Sequence, residues 1–322
     1  MNSIGIWWDK QDDVRVHLDV NIWHTKKSNG NYLEFGIEIE NYDKLNYMNI
    51  YVPYIIEKND IEDKVGILSS NPSLTMAMFN ENLDVSSMNG SFCDVKFHQD
   101  SNKNFSYCKI DINKDIELID NKIINLKINK TDNDTKIIYY RFRINKIEKI
   151  FTELKENYFW IDGFFKTIGF IEININSVRK LPDNVVDKLK NIRFDSMNLF
   201  MMTDNFTNFI FQSEDVNKSR ILENHIWDKY LSEENAKDIN KIIAYHWRKK
   251  DFEDYNLFVK ISYITKSKWL IGLMVVLILF LGAIGGVGGN YITEKLFNGF
   301  SDVDITKKVK DINDTVDIEK GK

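Results

Sequence analysis

The sequence predicts an antiparallel β-sandwich or barrel over residues 1–146, an α+β region over 147–265, and one transmembrane helix near the carboxyl end. Three observations predict this. Apolar and polar residues alternate with period two through long runs of the first region. The alternation then gives way to mixed patterns. Finally, the run from Trp269 to Asn290 carries no charge at all. The remaining composition suits a body that folds in water: 43% hydrophobic and 28% charged over 322 residues. Aromatics reach 13% and prolines number three, which favours strands.

The first two strands are the clearest. In "DVRVHLDVNIWH", Val14, Val16, Leu18, Val20 and Ile22 alternate with Arg15, His17, Asp19 and Asn21. "YLEFGIEIEN" repeats the pattern with Leu33, Phe35, Ile37 and Ile39. Period two over this length marks half-buried strands. Asn29-Gly30 between them suits a hairpin turn with positive φ. "YMNIYVPYII" reads as a third strand that stops or meets a sheet edge at Pro53. "CDVKFH", "YCKIDI", "IINLKIN" and "TKIIYYRFRIN" follow, the last two joined by a turn at "KTDNDT". In the last strand Ile138, Tyr140, Phe142 and Ile144 face one way, with Arg141 and Arg143 on the opposite, solvated face.

Beyond residue 146, "NKIEKIFTELKEN" reads as a short helix with Ile147, Ile150, Phe151 and Leu154 on one face. "GFIEINI" is a strand, and "LPDNVVDKLKN" a helix entered at Pro182. "MNLFMMTDNFTNFIFQS" reads as a hairpin about Asp204-Asn205. "SEENAKDINKIIAYHWRKK" reads as a helix capped by Ser232, with a stripe of Ala236, Ile239, Ile243 and Trp247. "YNLFVKISYI" is a final strand.

The apolar run is about 32 Å long as a helix, close to a bilayer's hydrocarbon thickness. Its twelve Leu, Ile, Phe and Val residues favour insertion by about 4–7 kcal/mol before glycine is counted. Lys266, Lys268, Trp269 and Tyr291 are the expected interface residues. Lys249, Lys250, Lys260, Lys266 and Lys268 precede the run; Lys295, Lys307 and Lys308 follow it. That excess predicts a single-pass membrane protein with its bulk in the cytoplasm and its tail on the far side. The start, "MNSIGIWWDKQDD", has no secretory-signal pattern, in keeping with that orientation. Gly282 and Gly286, then Gly285 and Gly289, form two G-x-x-x-G pairs. They predict helix packing, hence a homo-oligomer, or else a frayed helix end. Residues 291–322 form a short polar tail. Ile305, Val309, Ile312 and Val316 leave it open between disorder and a small zipper.

Chemical motifs are sparse. Net charge is −5, so no nucleic-acid partner is expected. Cys93 and Cys108 are too few for a disulfide framework and read as small buried residues. "DINKDIELIDNK" places Asp111, Asn113 and Asp115 like a calcium loop, but Ile116 and Lys122 stand where Gly and Glu belong. The five histidines make no metal motif; His225 and His246 could meet between two helices. No phosphate loop or nucleophile elbow is present. No metal, cofactor or catalytic residue is therefore expected, and an enzyme is the less favoured class. Arg141, Arg143 and Arg179 form a weak anion-site candidate if the fold gathers them. The leading expectation is a membrane-anchored sensing or binding module whose partner is a protein or small molecule. The alternatives are a membrane-disrupting effector triggered by ligand, with the layout of defence proteins that join a cytoplasmic sensor to a membrane helix, and a tethered enzyme without a motif.

Overall fold

The computed structural model describes residues 3–9, 13–24, 31–131, 135–145, 151–154, 166–205, 207–231, 242–264 and 268–319. It divides into a strand-rich body, Met1–Asn157 with Lys166–Ile264, and a second unit, Tyr158–Phe165 with Thr265–Lys322.

The body opens with β1 (Gly5–Trp8), β2 (Arg15–His24), β3 (Tyr32–Glu40), β4 (Tyr47–Tyr51) and β5 (Ile61–Asp63). Helices α1 (Val65–Ser70) and α2 (Pro72–Phe79) follow, then β6 (Leu83–Val85), β7 (Phe92–Phe97) and β8 (Phe105–Cys108). The single turn α3 (Ile112–Asp115) leads into β9 (Ile116–Ile119), β10 (Ile123–Lys127), β11 (Ile137–Ile144) and β12 (Phe151–Leu154). After β13 (Lys166–Ile175) come α4 (Asp183–Val186), β14 (Phe194–Asp204), β15 (Thr207–Gln212), β16 (Lys218–Ile221), α5 (Asn224–Trp227), β17 (Ile242–Phe252) and β18 (Tyr255–Ile264).

These strands form three sheets. A ten-stranded sheet has the order β16-β17-β14-β2-β3-β11-β8-β7-β6, with β5 also on β11. Two four-stranded sheets, β1-β4-β10-β9 and β12-β13-β18-β15, complete the set. The predicted β2–β3 hairpin forms, from Arg15 opposite Glu40 to Trp23 opposite Tyr32. Its Asn29-Gly30 turn lies outside the described residues. The alternation of β2, β3 and β11 builds one apolar face, joined by Met197, Leu199, Met201 and Trp247 from β14 and β17. Ile6, Ile50 and Ile124 of one small sheet, and Ile173, Leu257 and Val259 of the other, pack into this same core. The result is a β-sandwich, each buried aliphatic side chain contributing about 1.5–3 kcal/mol.

Several elements differ from the sequence expectation. The sandwich is mixed: β14 runs parallel to β2, and β8 parallel to β11. Strands from before and after residue 146 thus share one sheet. "IIAYHWRKK" is not helical but is β17, paired with β14 over its length. Ile243 and Trp247 are four apart, a spacing that fits a strand face as well as a helix stripe, and pairing decides between them. The predicted cap Ser232 lies outside the described residues. Phe151–Leu154, expected in a helix, pairs with β13 instead. The strands flanking Asp204-Asn205 form, but not as a hairpin: β14 joins the large sheet and β15 pairs with β18. The helix at Pro182 is a single turn, α4. Pro182 stands at its N-cap, where its missing N–H costs nothing. Helices α1 and α2, inserted between β5 and β6, have no counterpart in the expectation. Asp120 and Asn121, at φ 53° and 51°, close β9–β10 with both central residues left-handed, as a tight hairpin requires.

In the second unit, α6 (Lys268–Glu319) is one unbroken helix of 52 residues. Its glycines do not fray it, and the tail is helical through Glu319. Gly272–Phe297 has mean hydropathy 2.3, with none of it buried, and is long and apolar enough to cross a membrane.

Candidate functional site

The second face of the large sheet carries the body's chemistry. Cross-strand register aligns its rows. His246, Phe200, Asn21, Glu34 and Arg143 form one row across β17, β14, β2, β3 and β11. Arg248, Asn198, Asp19, Gly36 and Arg141 form the next. Lys250, Ser196, His17, Glu38 and Tyr139 form the third.

At one end, α1, α2 and α5 cover this face with a second core containing Trp23, Tyr32, Leu68, Leu74, Tyr139, Trp227 and Tyr230. Glu34 lies within it, fully buried. Arg141 Nη2 donates to its Oε2 at 3.0 Å and Arg143 Nε to its Oε1 at 2.9 Å. The Tyr230 hydroxyl donates to Oε2 at 2.9 Å and accepts from Arg141 Nε at 2.8 Å. Nearby, Lys64 pairs with Glu62 at 2.6 Å. Burial alone would raise the Glu34 pKa, but Arg143, Arg141 and Lys64 outweigh it and hold the carboxyl below its usual range.

This network fixes the fate of the three arginines. Arg141 and Arg143 are buried on β11, not solvated as expected, because Tyr230, in the turn that follows α5, roofs them. Both are committed to Glu34. Arg179 stands exposed on the 3-10 turn Val178–Lys180. The three do not gather. Sequence reasoning missed Glu34, although a signal was present: opposite charges recur on the polar positions of "YLEFGIEIE" and "YYRFRI".

Towards the other end the face opens and a polar chain crosses it. Arg141 Nη1 donates to the Tyr139 hydroxyl at 2.9 Å, which donates to Asp19 Oδ2 at 3.0 Å. Asn198 Nδ2 donates to Asp19 Oδ1 at 2.9 Å, and Asn198 Oδ1 lies 3.0 Å from His246 Nε2. A carboxylate only accepts, so the Asn198 amide is fixed and His246 must carry its proton on Nε2. Burial lowers the His246 pKa, which favours the neutral ring, in which Nδ1 is the acceptor nitrogen. The ring stacks on Phe200 at 4.5 Å. Gly36 permits the chain: a Cβ there would overlap the Tyr139 hydroxyl. His246 sits on a strand, so the expected helix-to-helix meeting with His225 is absent; His225 is exposed on α5.

Beside this chain, His17 Nδ1 lies 2.9 Å from Ser196 Oγ. His17 Nε2 lies 4.0 Å from both Glu38 and Asp195, beyond hydrogen-bonding reach. Ser196 is buried near the start of β14, where pairing with β2 and β17 occupies the backbone N–H groups an oxyanion would use. The pair resembles the start of a hydrolytic triad without completing one. Glu38 is raised to about 7, first by burial and then by Asp19 and Glu40.

Elsewhere, a cleft of about 730 Å³ is lined by Lys58, Asn113, Lys114, Asp115 and Lys127 among others. The carboxylates of the calcium-like run are used locally: Asp111 accepts from Asn113 N, and Asp115 from Asp111 N. Among the described residues, no three His, Cys, Asp or Glu gather to hold a metal. Cys93 and Cys108 are buried free thiols, the latter pushed up to about 12 by burial. In α6, a Cβ added at Gly282, Gly285, Gly286 or Gly289 would meet nothing within 4 Å. Tyr291 is exposed, with Lys295 Nζ 6.0 Å from its ring. Lys266 lies outside the described residues. No family model matches the chain, and no curated protein matches it.

Proposed function

We propose that this is a single-pass membrane protein whose β-sandwich body binds a ligand or partner on the second face of its large sheet. One observation carries the anchor: a 26-residue apolar helical stretch none of whose residues is buried. A core helix of a water-soluble protein would be covered. The lysine bias around the span supports a cytoplasmic body. The glycine pairs Gly282/Gly286 and Gly285/Gly289, open on their helix, support self-association in the bilayer. The half-open cluster of Asp19, Asn198, His246, His17 and Glu38, spread over three adjacent rows, supports binding rather than catalysis.

Alkaline carbonate extraction of cell membranes tests the anchor, with the chain expected in the pellet; release into the supernatant would remove this reading. Protease treatment of inverted vesicles tests orientation, and the body should be digested. Replacing all four glycines with Leu should leave insertion intact and lower the cross-linked oligomer fraction at least several-fold.

A further inference from the structure

We infer that the outward face of β13, β18 and β15 is a docking patch for the headgroup layer of an anionic lipid bilayer. The inference rests on the membrane-anchor part of the reading above and adds a second, peripheral contact made by the body itself. Ile171 and Ile173 of β13 and Leu257, Val259 and Ile261 of β18 belong to the core. Strand alternation sends their neighbours Phe170, Phe258 and Lys260 to the other side. There Phe170 stacks on Phe258 at 5.7 Å, Phe211 of β15 lies 6.1 Å from Phe258, and Lys260 Nζ stands 5.6 Å from the Phe170 ring. Register places Lys260 between Phe170 and Phe211 in one row. The ladder of β15, an edge strand, shifts between Phe209 and Phe211, and the inserted residue is Ile210. A bulge breaks the alternation, so Ile210 and Phe211 are exposed side by side, at 51% and 54%. Among the described residues of the body, Phe211 is the one exposed phenylalanine. Single exposed apolar residues are ordinary; an aromatic cluster joined to an exposed apolar pair marks a contact surface.

What covers the patch follows from where the chain goes next. Strand β18 ends at Ile264 and α6 begins at Lys268. Those four Cα steps reach about 14 Å at most. Lys260 stands four residues before the strand end, about 13 Å at the rise of a strand. A span seated in a bilayer therefore keeps the patch within about 27 Å of chain from its own first turn. So short a tether raises the local concentration of lipid at the patch without any search. Charge points the same way. Between Asp254 and Glu294 the sequence holds no acidic residue, and Lys260, Lys266 and Lys268 all precede the apolar run. Lysines are drawn to the negative surface potential of an anionic leaflet, while apolar rings bury themselves at the headgroup boundary. A second copy is the poorer occupant. Two patches paired about a two-fold axis would bring Lys260 towards its own equivalent, whereas an anionic surface neutralises it.

The test uses the full-length chain reconstituted in vesicles of equal parts phosphatidylcholine and phosphatidylglycerol. A nitroxide is attached at Ile210→Cys and, in a separate preparation, at Ile221→Cys, an exposed position on β16 of the large sheet. The native thiols are buried and should stay unlabelled. Relaxation by oxygen, which concentrates in lipid, and by a water-soluble nickel complex reports the surroundings of each label. The ratio of oxygen to nickel accessibility at position 210 should exceed that at position 221 several-fold. Phe211→Asp and Lys260→Glu should each move position 210 towards the aqueous value, with circular dichroism unchanged. The inference is overturned if the label at 210 meets nickel as freely as the label at 221 in vesicles that keep the chain through carbonate washing, or if both variants leave it unmoved. It is overturned equally if that label is shielded from both reagents, as burial against a second copy would make it. Release of the chain by carbonate is a separate result: it removes the anchor, and this inference with it.

Discussion

The two faces of the large sheet are held by different physics. On one, Val20, Phe35 and Phe142 share an apolar core with side chains of the two small sheets. On the other, Glu34, Arg141 and Arg143 are as deeply buried, yet their stability depends on complete pairing. An apolar contact that is trimmed loses its own area and leaves a cavity. A buried ionic contact that loses one member strands the others. The second face is therefore the more brittle, and it is the one that opens to solvent beside the polar row.

The largest effect expected is from Glu34→Gln, which leaves two buried guanidiniums facing a neutral amide. It should cost about 3–5 kcal/mol in urea unfolding. Leu18→Ala, on the apolar face, should cost about 2–5 kcal/mol. pH separates the two losses. The Glu34 carboxyl titrates below its unfolded value, so its contribution is complete above about pH 4.5 and disappears as pH falls through the folded value. The gap between parent and Glu34→Gln should thus narrow in acid, while the Leu18→Ala gap stays constant. If both gaps respond alike to pH, the contrast between the faces fails.

A smaller effect tests the polar chain. Gly36→Ala should cost about 1–3 kcal/mol by forcing the Tyr139 hydroxyl off Asp19. Tyr139→Phe in the same background should then add little, because the bond is already lost. The smallest effect concerns Glu38, whose pKa rises from 4.5 to about 7 on folding through burial, Asp19 and Glu40. His17 and Tyr139 also face it by register. A raised carboxyl favours the folded state when protonated, so stability should fall as pH climbs from about 4.5 to 7. Glu38→Gln should flatten that fall, on the order of 1–2 kcal/mol given its partial access to water. Denaturation midpoints at pH 5 and pH 8 measure it.

How much of this was legible follows from where the information lies. Strands β2, β3 and β11 were readable because one-residue alternation is local. The apolar run was readable because its uniform composition is itself a local signal. Strand β17 was misread because Ile243 and Trp247 serve both periods, and its pairing partner is distant in sequence, from Asp204 opposite Ile242 to Phe194 opposite Phe252. The depth of Arg141 and Arg143 was not readable, since it depends on α1, α2 and α5 folding over the strand. The asparagine richness of the chain has a backbone use. Among the described residues, all seven non-glycine positions with positive φ are Asn or Asp. These residues tolerate the left-handed region through local side-chain hydrogen bonds.

The parallel seating of β14 against β2 has a consequence for the order of synthesis. His17 and Ser196 touch across 179 residues. At about 5–20 residues per second, the amino-terminal hairpin emerges roughly 10–35 s before its neighbour exists. Through that interval β2 presents a bare edge, with unpaired amides and carbonyls inviting promiscuous strand addition. Ribosome-bound chains halted before residue 194 should accordingly recruit chaperones, and chains halted beyond 252 should shed them.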